Sequence, residues 1–364
     1  MTIEPTTLEA LGWDHAWTQS FASFAAEGHR PARVVAVHRE TSIVRDGDGD
    51  RPVNVSGSFR FAALGHADFP TVGDWVALDG DVITTILPRR SVFKRMASDA
   101  SRRGTRSDDE QIMASNIDVA LLVAGLDNDF NLRRIERYLA VAWSSAITPV
   151  VVLNKSDLAD DVDGRLVAVD AIAPGVATLP VSARTGAGLD ALRAHLRPGA
   201  TAAILGSSGV GKSTLVNALL GEDRQATAEV RDSDSRGRHT TTHRELFELP
   251  GGALLVDTPG IRSLEVLGAE EGVETAFDDV VDIAATCRFS DCRHEREPGC
   301  AVRAALADGR LTDDRLASHR KLEREVARAA RETDPRARAE HRRHWKIIHK
   351  SVSEQMQRKY GGET

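Results

Sequence analysis

Cysteine is scarce in this chain: three residues in 364. That odd count fits no simple disulfide framework. Long hydrophobic runs are missing too. No apolar stretch approaches the roughly 20 residues needed to cross a bilayer, which argues against a membrane-spanning chain. The opening segment "MTIEPTTLEALGWDHAW" is acidic and has no basic-then-apolar leader, so a cytoplasmic location is expected. There is no internal repeat. What remains is ordinary globular material, 41% hydrophobic and 28% charged. At roughly 100–200 residues per domain, the length suits two or three domains with real cores.

Charge is unevenly spread. The net charge is −7, yet Arg315 to Thr364 holds 14 Lys/Arg against 7 Asp/Glu, which leaves −14 on residues 1–314. A basic tail on an acidic body is the asymmetry of a nucleic-acid or ribosome contact, with a solvated charged helix as the plainer reading. All three cysteines fall between positions 287 and 300. Such clustering points to metal rather than redox chemistry.

Hydrophobic periodicity divides the chain. Residues 1–30 form a helical lead-in, with Trp13, Trp17, Phe21 and Phe24 at three- and four-residue spacings suited to core packing. Residues 31–97 switch to short alternating runs, "RVVAVH", "TSIVRD", "RPVNVSG", "GDWVALDG" and "DVITTILP", separated by Gly/Asp/Pro turns. That pattern predicts a small all-β barrel; the five-stranded oligonucleotide/oligosaccharide-binding (OB) type fits its length, although other small barrels share the pattern. The polar, basic stretch 89–111 reads as a linker or mobile loop. Residues 98–284 alternate continuous apolar strands with helices, which predicts a parallel sheet covered on both faces. Residues 285–364 combine a cysteine/histidine knot with a charged helical tail. The fold class is therefore multidomain.

Within the α/β region, "TAAIL" is followed at once by "GSSGVGKS" and then by the helical "STLVNALLG". This is the strand–loop–helix context of a phosphate-binding loop. Glycines at 206, 209 and 211 let backbone N–H groups converge on anionic oxygens at a helix N-terminus. Gly206, Ser207, Ser208, Gly209, Val210, Gly211, Lys212, Ser213 and Thr214 are the phosphate-side candidates. Lys212 is expected to reach the β- and γ-phosphates, and Ser213 to ligate Mg²⁺. About fifty residues earlier, "LNKSD" ends another apolar strand. Asp157 can accept from both N1–H and the amine of guanine, Lys155 can lay its stem along the base, and Asn154 can either tie this loop to the phosphate loop or contact the ring. "VSAR" at 181–184 ends a further strand, where Ser182 and Ala183 offer backbone N–H groups to guanine O6.

Downstream, "ALLVDTPG" contains D-x-x-G. Asp257 would hold Mg²⁺ through water and the Gly260 N–H would touch the γ-phosphate. Before it, "SRGRHTTTHRE" carries Thr240, Thr241 and Thr242, one of which is expected to close over Mg²⁺ as an order–disorder switch. Ile261 stands where many GTPases place a water-orienting Gln. His239 is the nearest substitute, and His239, Thr241, Asp257 and Gly260 are the catalytic candidates. The order of these elements is base reader, second base contact, phosphate loop, switch, D-x-x-G. Each occupies the place its chemistry needs, so the domain is predicted to be circularly permuted. Parallel-sheet geometry allows this when the natural termini are joined and a surface loop is opened.

Together with "LGW…PARV" and "GRHTTT", these motifs make the chain similar to the circularly permuted, ribosome small subunit-dependent GTPases (the RsgA/YjeQ family). The resemblance covers nearly the whole chain. It implies an N-terminal OB barrel, a permuted GTPase domain, a C-terminal zinc domain, and GTP hydrolysis stimulated by the small ribosomal subunit during its late maturation. Small subunit, rRNA and GTP/GDP are the expected partners, and a monomer with no membrane contact is expected.

"CRFSDCRHEREPGC" sets Cys287, Cys292, His294 and Cys300 in a C-x4-C-x-H-x5-C pattern. Three thiolates and an imidazole make a closed tetrahedral set, the mark of one structural zinc. Two rivals remain: an RNA-binding module that senses GTP with negligible turnover, and a metabolic phosphate-loop kinase, for which no acceptor site is visible.

Overall fold

The computed structural model describes residues 7–38, 41–96, 110–127, 129–221, 244–257 and 269–333. The lead-in folds as α1 (His15–Ala26), capped by Asp14, whose carboxylate accepts the Trp17 N–H at 2.9 Å. Its apolar stripe turns inward: Trp17 and Phe21 are buried. The Trp13 and Trp17 rings lie 4.7 and 6.2 Å from that of Trp75.

Trp75 opens one of five barrel strands, β1 (Arg30–His38), β2 (Thr41–Asp46), β3 (Gly49–Val55), β4 (Trp75–Asp79) and β5 (Val82–Ile86). They run in the order β1-β2-β3-β5-β4, and β4 closes back on β1. The β3–β5 pair is parallel and its neighbours are antiparallel, as in the closed five-stranded barrel expected. Alternation supplies the filling: Ala32, Val34, Val44, Val53, Val76, Leu78 and Ile83 form its own cluster. A short helix, α2 (Gly57–Ala62), follows β3.

The stretch 89–111 is not simply a linker. β6 (Val92–Met96) and β7 (Glu110–Ser115) pair antiparallel at its ends, and Phe93, Met113 and Ala114 are buried. Apolar residues at the two ends carry the pairing, while the polar middle, outside the described residues, conceals it from a reading of local periodicity.

The α/β unit comprises β8 (Val119–Gly125), α3 (Leu132–Ser144), β9 (Thr148–Asn154), α4 (Val162–Asp170), β10 (Thr178–Pro180), α5 (Leu189–Arg193), β11 (Thr201–Leu205), α6 (Lys212–Leu220), β12 (Arg244–Glu248) and β13 (Leu254–Asp257). The sheet order is β10-β9-β8-β11-β13-β12. All pairs are parallel except β12–β13. Both faces are covered: along β8, Val119, Leu121 and Val123 join one apolar cluster while Ala120, Leu122 and Ala124 join another. β12 starts at the end of the polar "SRGRHTTTHRE" stretch. It pairs antiparallel with β1 through Ala36↔Glu245 and Val37↔Arg244, so barrel and α/β sheet share one continuous 11-stranded ladder.

A buried arginine reinforces that junction. Arg33 on β1 donates to Thr201 Oγ1 at 2.8 Å, Asn116 O at 3.2 Å, Gly73 O at 3.3 Å and Leu11 O. Burial pulls its pKa down to about 10, opposed by Asp118 and Asp74, so the guanidinium stays charged at neutral pH.

Beyond the sheet, α7 (Glu270–Ala276), α8 (Asp278–Ala285), α9 (Ala301–Ala307) and α10 (Asp313–Thr333) make the helical C-terminal region. α10 docks on α3. Arg315 Nη1 meets Glu136 Oε1 at 2.7 Å with both side chains buried, and Nη2 meets Asp279 Oδ1 at 2.8 Å. Ser318 donates to the other Glu136 oxygen. Removing one partner from so buried a pair typically costs 3–5 kcal/mol, because the survivor is left charged and unpaired. Among the described residues no helix is long and apolar enough to cross a membrane.

Candidate nucleotide site and metal centre

Parallel strands put their carboxyl ends on one edge, and ligands of open α/β sheets bind there. β8 ends at Gly125, β9 at Asn154, β11 at Leu205 and β13 at Asp257. The loops that leave β8, β9 and β11 meet each other. Asn154 is 2% exposed and serves as the knot. Its Nδ2 donates to Val210 O at 2.8 Å, and its Oδ1 accepts the Ala183 N–H at 3.0 Å. One amide thus fastens the "VSAR" loop and the "GSSGVGKS" loop to the same strand end. The glycine pattern follows from that closeness. A Cβ on Gly211, at φ +89, would fall 2.4 Å from Asn154 Nδ2, and one on Gly206 would fall 2.5 Å from Val123 O.

Lys155 adopts a left-handed backbone, φ +64, which turns the chain sharply into the Ser156–Leu158 helical turn. Its Nζ donates to Gly209 O at 2.6 Å and to Asp127 Oδ2 at 2.5 Å. Burial acts to raise the pKa of Asp127, but the Lys155 hydrogen bond and a backbone N–H outweigh it and hold the carboxyl below its usual range. Asp157 has both oxygens engaged: Ser182 Oγ donates to Oδ1 at 2.6 Å and Arg184 pairs with Oδ2. The Ser182 hydrogen bond and then Arg184 lower its pKa, so the carboxylate is an acceptor across the neutral range.

The loop from Gly206 delivers Lys212 to the first turn of α6, with Ser213 and Thr214 following it there. Val210 is fully buried beneath, while Ser208 and Gly209 are exposed at the rim. Lys212 Nζ donates to Gly206 O at 2.9 Å and to Ser207 O. Ser207 Oγ lies 2.6 Å from Arg134 Nη1 and also bonds Asp129.

Asn154, Lys155, Asp157, Ser182, Ala183 and the loop at 206–214 are thus brought together at the strand ends. Asp257 ends β13 beside them, while His239, Thr240, Thr241, Thr242, Gly260 and Ile261 lie outside the described residues. Four participants escaped the sequence reading: Asp127, Asp129, Arg134 and Arg184. The signal for three of them is the acidic, Asn-capped "DNDFNLRR" after a buried strand, which in sequence looks like any strand-to-helix turn.

The second site is a side-chain cluster. Cys287, Cys292, His294 and Cys300 place one ligand atom each within 4.8 Å of the others. Cys287 Sγ lies 4.0 Å from Cys300 Sγ and 3.5 Å from His294 Nδ1, and Cys300 Sγ lies 3.4 Å from the same nitrogen. A tetrahedral ion with metal–sulfur bonds of about 2.3 Å and metal–nitrogen bonds of about 2.0 Å demands separations of about 3.8 and about 3.5 Å. The donor set fits. Backbone geometry serves it: His294 sits at φ +59, and Cys300 caps α9, its sulfur accepting the Arg303 N–H at 3.4 Å. Burial acts to raise the Cys287 thiol, but the N–H groups of Val302 and Ala301 bring its pKa down, while burial pushes Cys292 up to about 11.

Comparison with known proteins identifies the family. Residues 86–267 match the family model described as RsgA GTPase. A protein named small ribosomal subunit biogenesis GTPase RsgA from Opitutus terrae is 49% identical over 361 residues, covering 94% of this chain and 96% of that one. Its namesake from Streptomyces coelicolor is 44% identical over 366 residues, covering 98% and 97%. Among solved structures, YjeQ from Thermotoga maritima is similar over 82% of this chain and 98% of its own, with 28% identity and a TM-score of 0.59. YloQ, described as a circularly permuted GTPase, shares the fold at 23% identity and a TM-score of 0.57, over 82% of this chain and 95% of its own. The chain belongs to the RsgA family of GTPases.

Proposed function

We propose that this GTPase works on the small ribosomal subunit as a late assembly checkpoint, with subunit-stimulated GTP hydrolysis driving its release. The observation that carries the reading is the Asn154 knot, in which one buried amide joins the base-side loops to the phosphate loop. In this reading Asp157 accepts from guanine N1–H and the exocyclic amine, Ala183 and Ser182 present N–H groups to O6, and Lys155 lies along the base. The N–H groups of residues 206–214 cradle the phosphates. Lys212 reaches the β- and γ-oxygens, Ser213 and Asp257 serve Mg²⁺, and Gly260 meets the γ-phosphate. Thr241 or a neighbouring threonine closes over the metal.

Ile261 cannot orient water by hydrogen bonding, so slow turnover by the free protein is expected. His239, or a group on the subunit, would complete the site once the "GRHTTT" segment is held. Functionally the chain divides into the lead-in at 1–30, the barrel at 31–97, the permuted GTPase domain at 98–284 and the zinc-bearing region at 285–364. Zinc in the Cys287/Cys292/His294/Cys300 set is structural, with all four positions filled by protein. The barrel and the basic tail grip ribosomal RNA in the cytoplasm. The test is GTP turnover with no subunits, small subunits and large subunits. Marked acceleration by small subunits alone is expected. Equal stimulation by both, or none, overturns the ribosomal reading, and negligible turnover throughout favours a GTP-sensing RNA-binding module.

A further inference from the structure

The loop between β8 and α3 holds the phosphate loop at two points. One runs through Lys155, which bridges Asp127 to Gly209 O. The other is direct. Arg134 Nη1 lies 2.6 Å from Ser207 Oγ and 2.6 Å from Asp129 Oδ2, and Ser207 Oγ bonds the same carboxylate oxygen. The three groups close a triangle whose chemistry is complete: the hydroxyl donates its one proton to Asp129 and accepts from the guanidinium. The two grips are joined, since the Asp129 N–H donates to Asp127 Oδ1 at 3.1 Å.

Arg134 is presented from a fixed platform. Asn131 caps α3 by accepting the Arg134 N–H at 3.1 Å. The same helix is tied to α10 by Arg133–Asp314 at 2.6 Å, by the buried Glu136–Arg315 pair and by Arg137–Glu325. α7 presses against α3 so closely that a Cβ on Gly272 would fall 1.9 Å from Ala140 O. A helix locked on those faces cannot readily let its first turn follow a drifting loop. The phosphate loop must instead conform to Arg134. Ser207 matters in turn because its carbonyl accepts from Lys212, so the residue gripped at its hydroxyl also sets where Lys212 starts its reach.

We propose that Arg134 is a positioning residue of the nucleotide site, holding Ser207 through the Asp129–Arg134–Ser207 triangle so that the phosphate loop is set in its binding shape before nucleotide arrives. This rests on reading residues 206–213 as the phosphate loop. Preorganisation lowers the ordering cost of binding and favours every ligand that uses the loop. GTP and GDP therefore gain alike, and the chemical step is untouched. An interaction of that uniform kind shows in KM and leaves kcat alone. Geometry matters as well as charge: the planar guanidinium spans carboxylate and hydroxyl together, which an ammonium on a flexible stem does poorly.

The experiment uses the full chain and measures GTP and GDP affinity, kcat and KM for Arg134→Ala, Arg134→Lys, Ser207→Ala and the Arg134→Ala/Ser207→Ala pair, with melting temperature alongside. Arg134→Ala and Ser207→Ala should each weaken both nucleotides about tenfold, a typical size for coupled contacts, and the double variant should be no worse than Arg134→Ala. Arg134→Lys should recover less than half of the loss in logarithmic terms. KM should rise with kcat unchanged, and melting should move by no more than a few degrees. Additive losses in the double variant, full rescue by lysine, or unchanged affinity in both single variants overturns the proposal. Lys212→Ala separates the two readings. If it leaves nucleotide binding intact, the phosphate-loop assignment itself fails; if it abolishes binding while the Arg134 and Ser207 variants bind normally, only the positioning role fails.

Discussion

The nucleotide cleft and the metal cluster are ordered by different means. In the cleft, position comes from main chain: a strand end delivers Asn154, the turn after it Asp157 and the first turn of α6 Lys212, and Asn154 is almost wholly buried while tying two loops together. Between Cys287 and Cys300 few side chains are buried, and Phe289 is 40% exposed. There, four possible ligand atoms converge, with Cys300 packed into the main apolar cluster and Cys287 and Cys292 against it. A cleft built on a sheet keeps its shape through hydrogen bonds within the chain, whereas a knuckle with so few buried side chains would draw folding free energy from a metal ion held by its four ligand atoms.

The largest effect should come from breaking the knuckle. Metal affinity in such sites is folding free energy, amounting to about 10–16 kcal/mol in small structural zinc domains. Cys292→Ser should lower zinc below one per chain and open the region after 285 to proteolysis, with GTP affinity changed by no more than about twofold, since the cleft shares no ligand with it. Full zinc retention would remove Cys292 from the ligand set. Next in size is the base reader. Asp157→Asn exchanges a two-acceptor carboxylate for a group with one acceptor and one donor. Titrations should show GTP weakened by about a hundredfold or more and xanthosine triphosphate strengthened, because sites built on paired polar groups reject the mismatched partner strongly.

Asn154→Ala sharpens the comparison from within the cleft. It strands Val210 O and the Ala183 N–H, each at a cost of about 1–3 kcal/mol. Melting temperature and nucleotide affinity should fall together, with zinc content unchanged. The smallest effect is expected at Arg184, whose side chain is 69% exposed although it pairs with Asp157. Surface pairs contribute about 0–1 kcal/mol, so Arg184→Ala should move GTP affinity by a few-fold at most. A larger drop would make Arg184 part of the base pocket.

Much of this cleft was legible because its chemistry sits at strand ends. An apolar run followed by "NKSD" or "GSSGVGKS" declares both the strand and the loop that must follow it, and the run before "DTPG" declares the strand. The metal set was equally plain, since cysteines at 287, 292 and 300 have few other uses in a chain with no more of them. What stayed hidden depends on long-range pairing. "RELFE" shows no reason to be a strand until β1 lies alongside it. β6 and β7 flank a polar stretch that masks their partnership. Asp129 and Arg134 look like turn and helix-start residues, and only the fold brings Ser207, more than seventy positions away, within hydrogen-bond reach. Arg33 carries no local sign of burial in the run "RVVAVH", yet it is buried where lead-in, barrel and α/β sheet meet.

In the proposed function, contact with ribosomal RNA completes an active site that Ile261 leaves without a water-orienting side chain. Its most direct test is a salt series of GTP turnover with and without small subunits. Contacts that neutralise many phosphates release counterions, so log affinity must fall linearly with log salt, by about 0.7–0.9 per phosphate contacted. Stimulation should be strong at low salt and fade steeply as salt rises, while turnover by the free protein barely changes. Stimulation that is independent of salt, or as great with large subunits as with small, would contradict it.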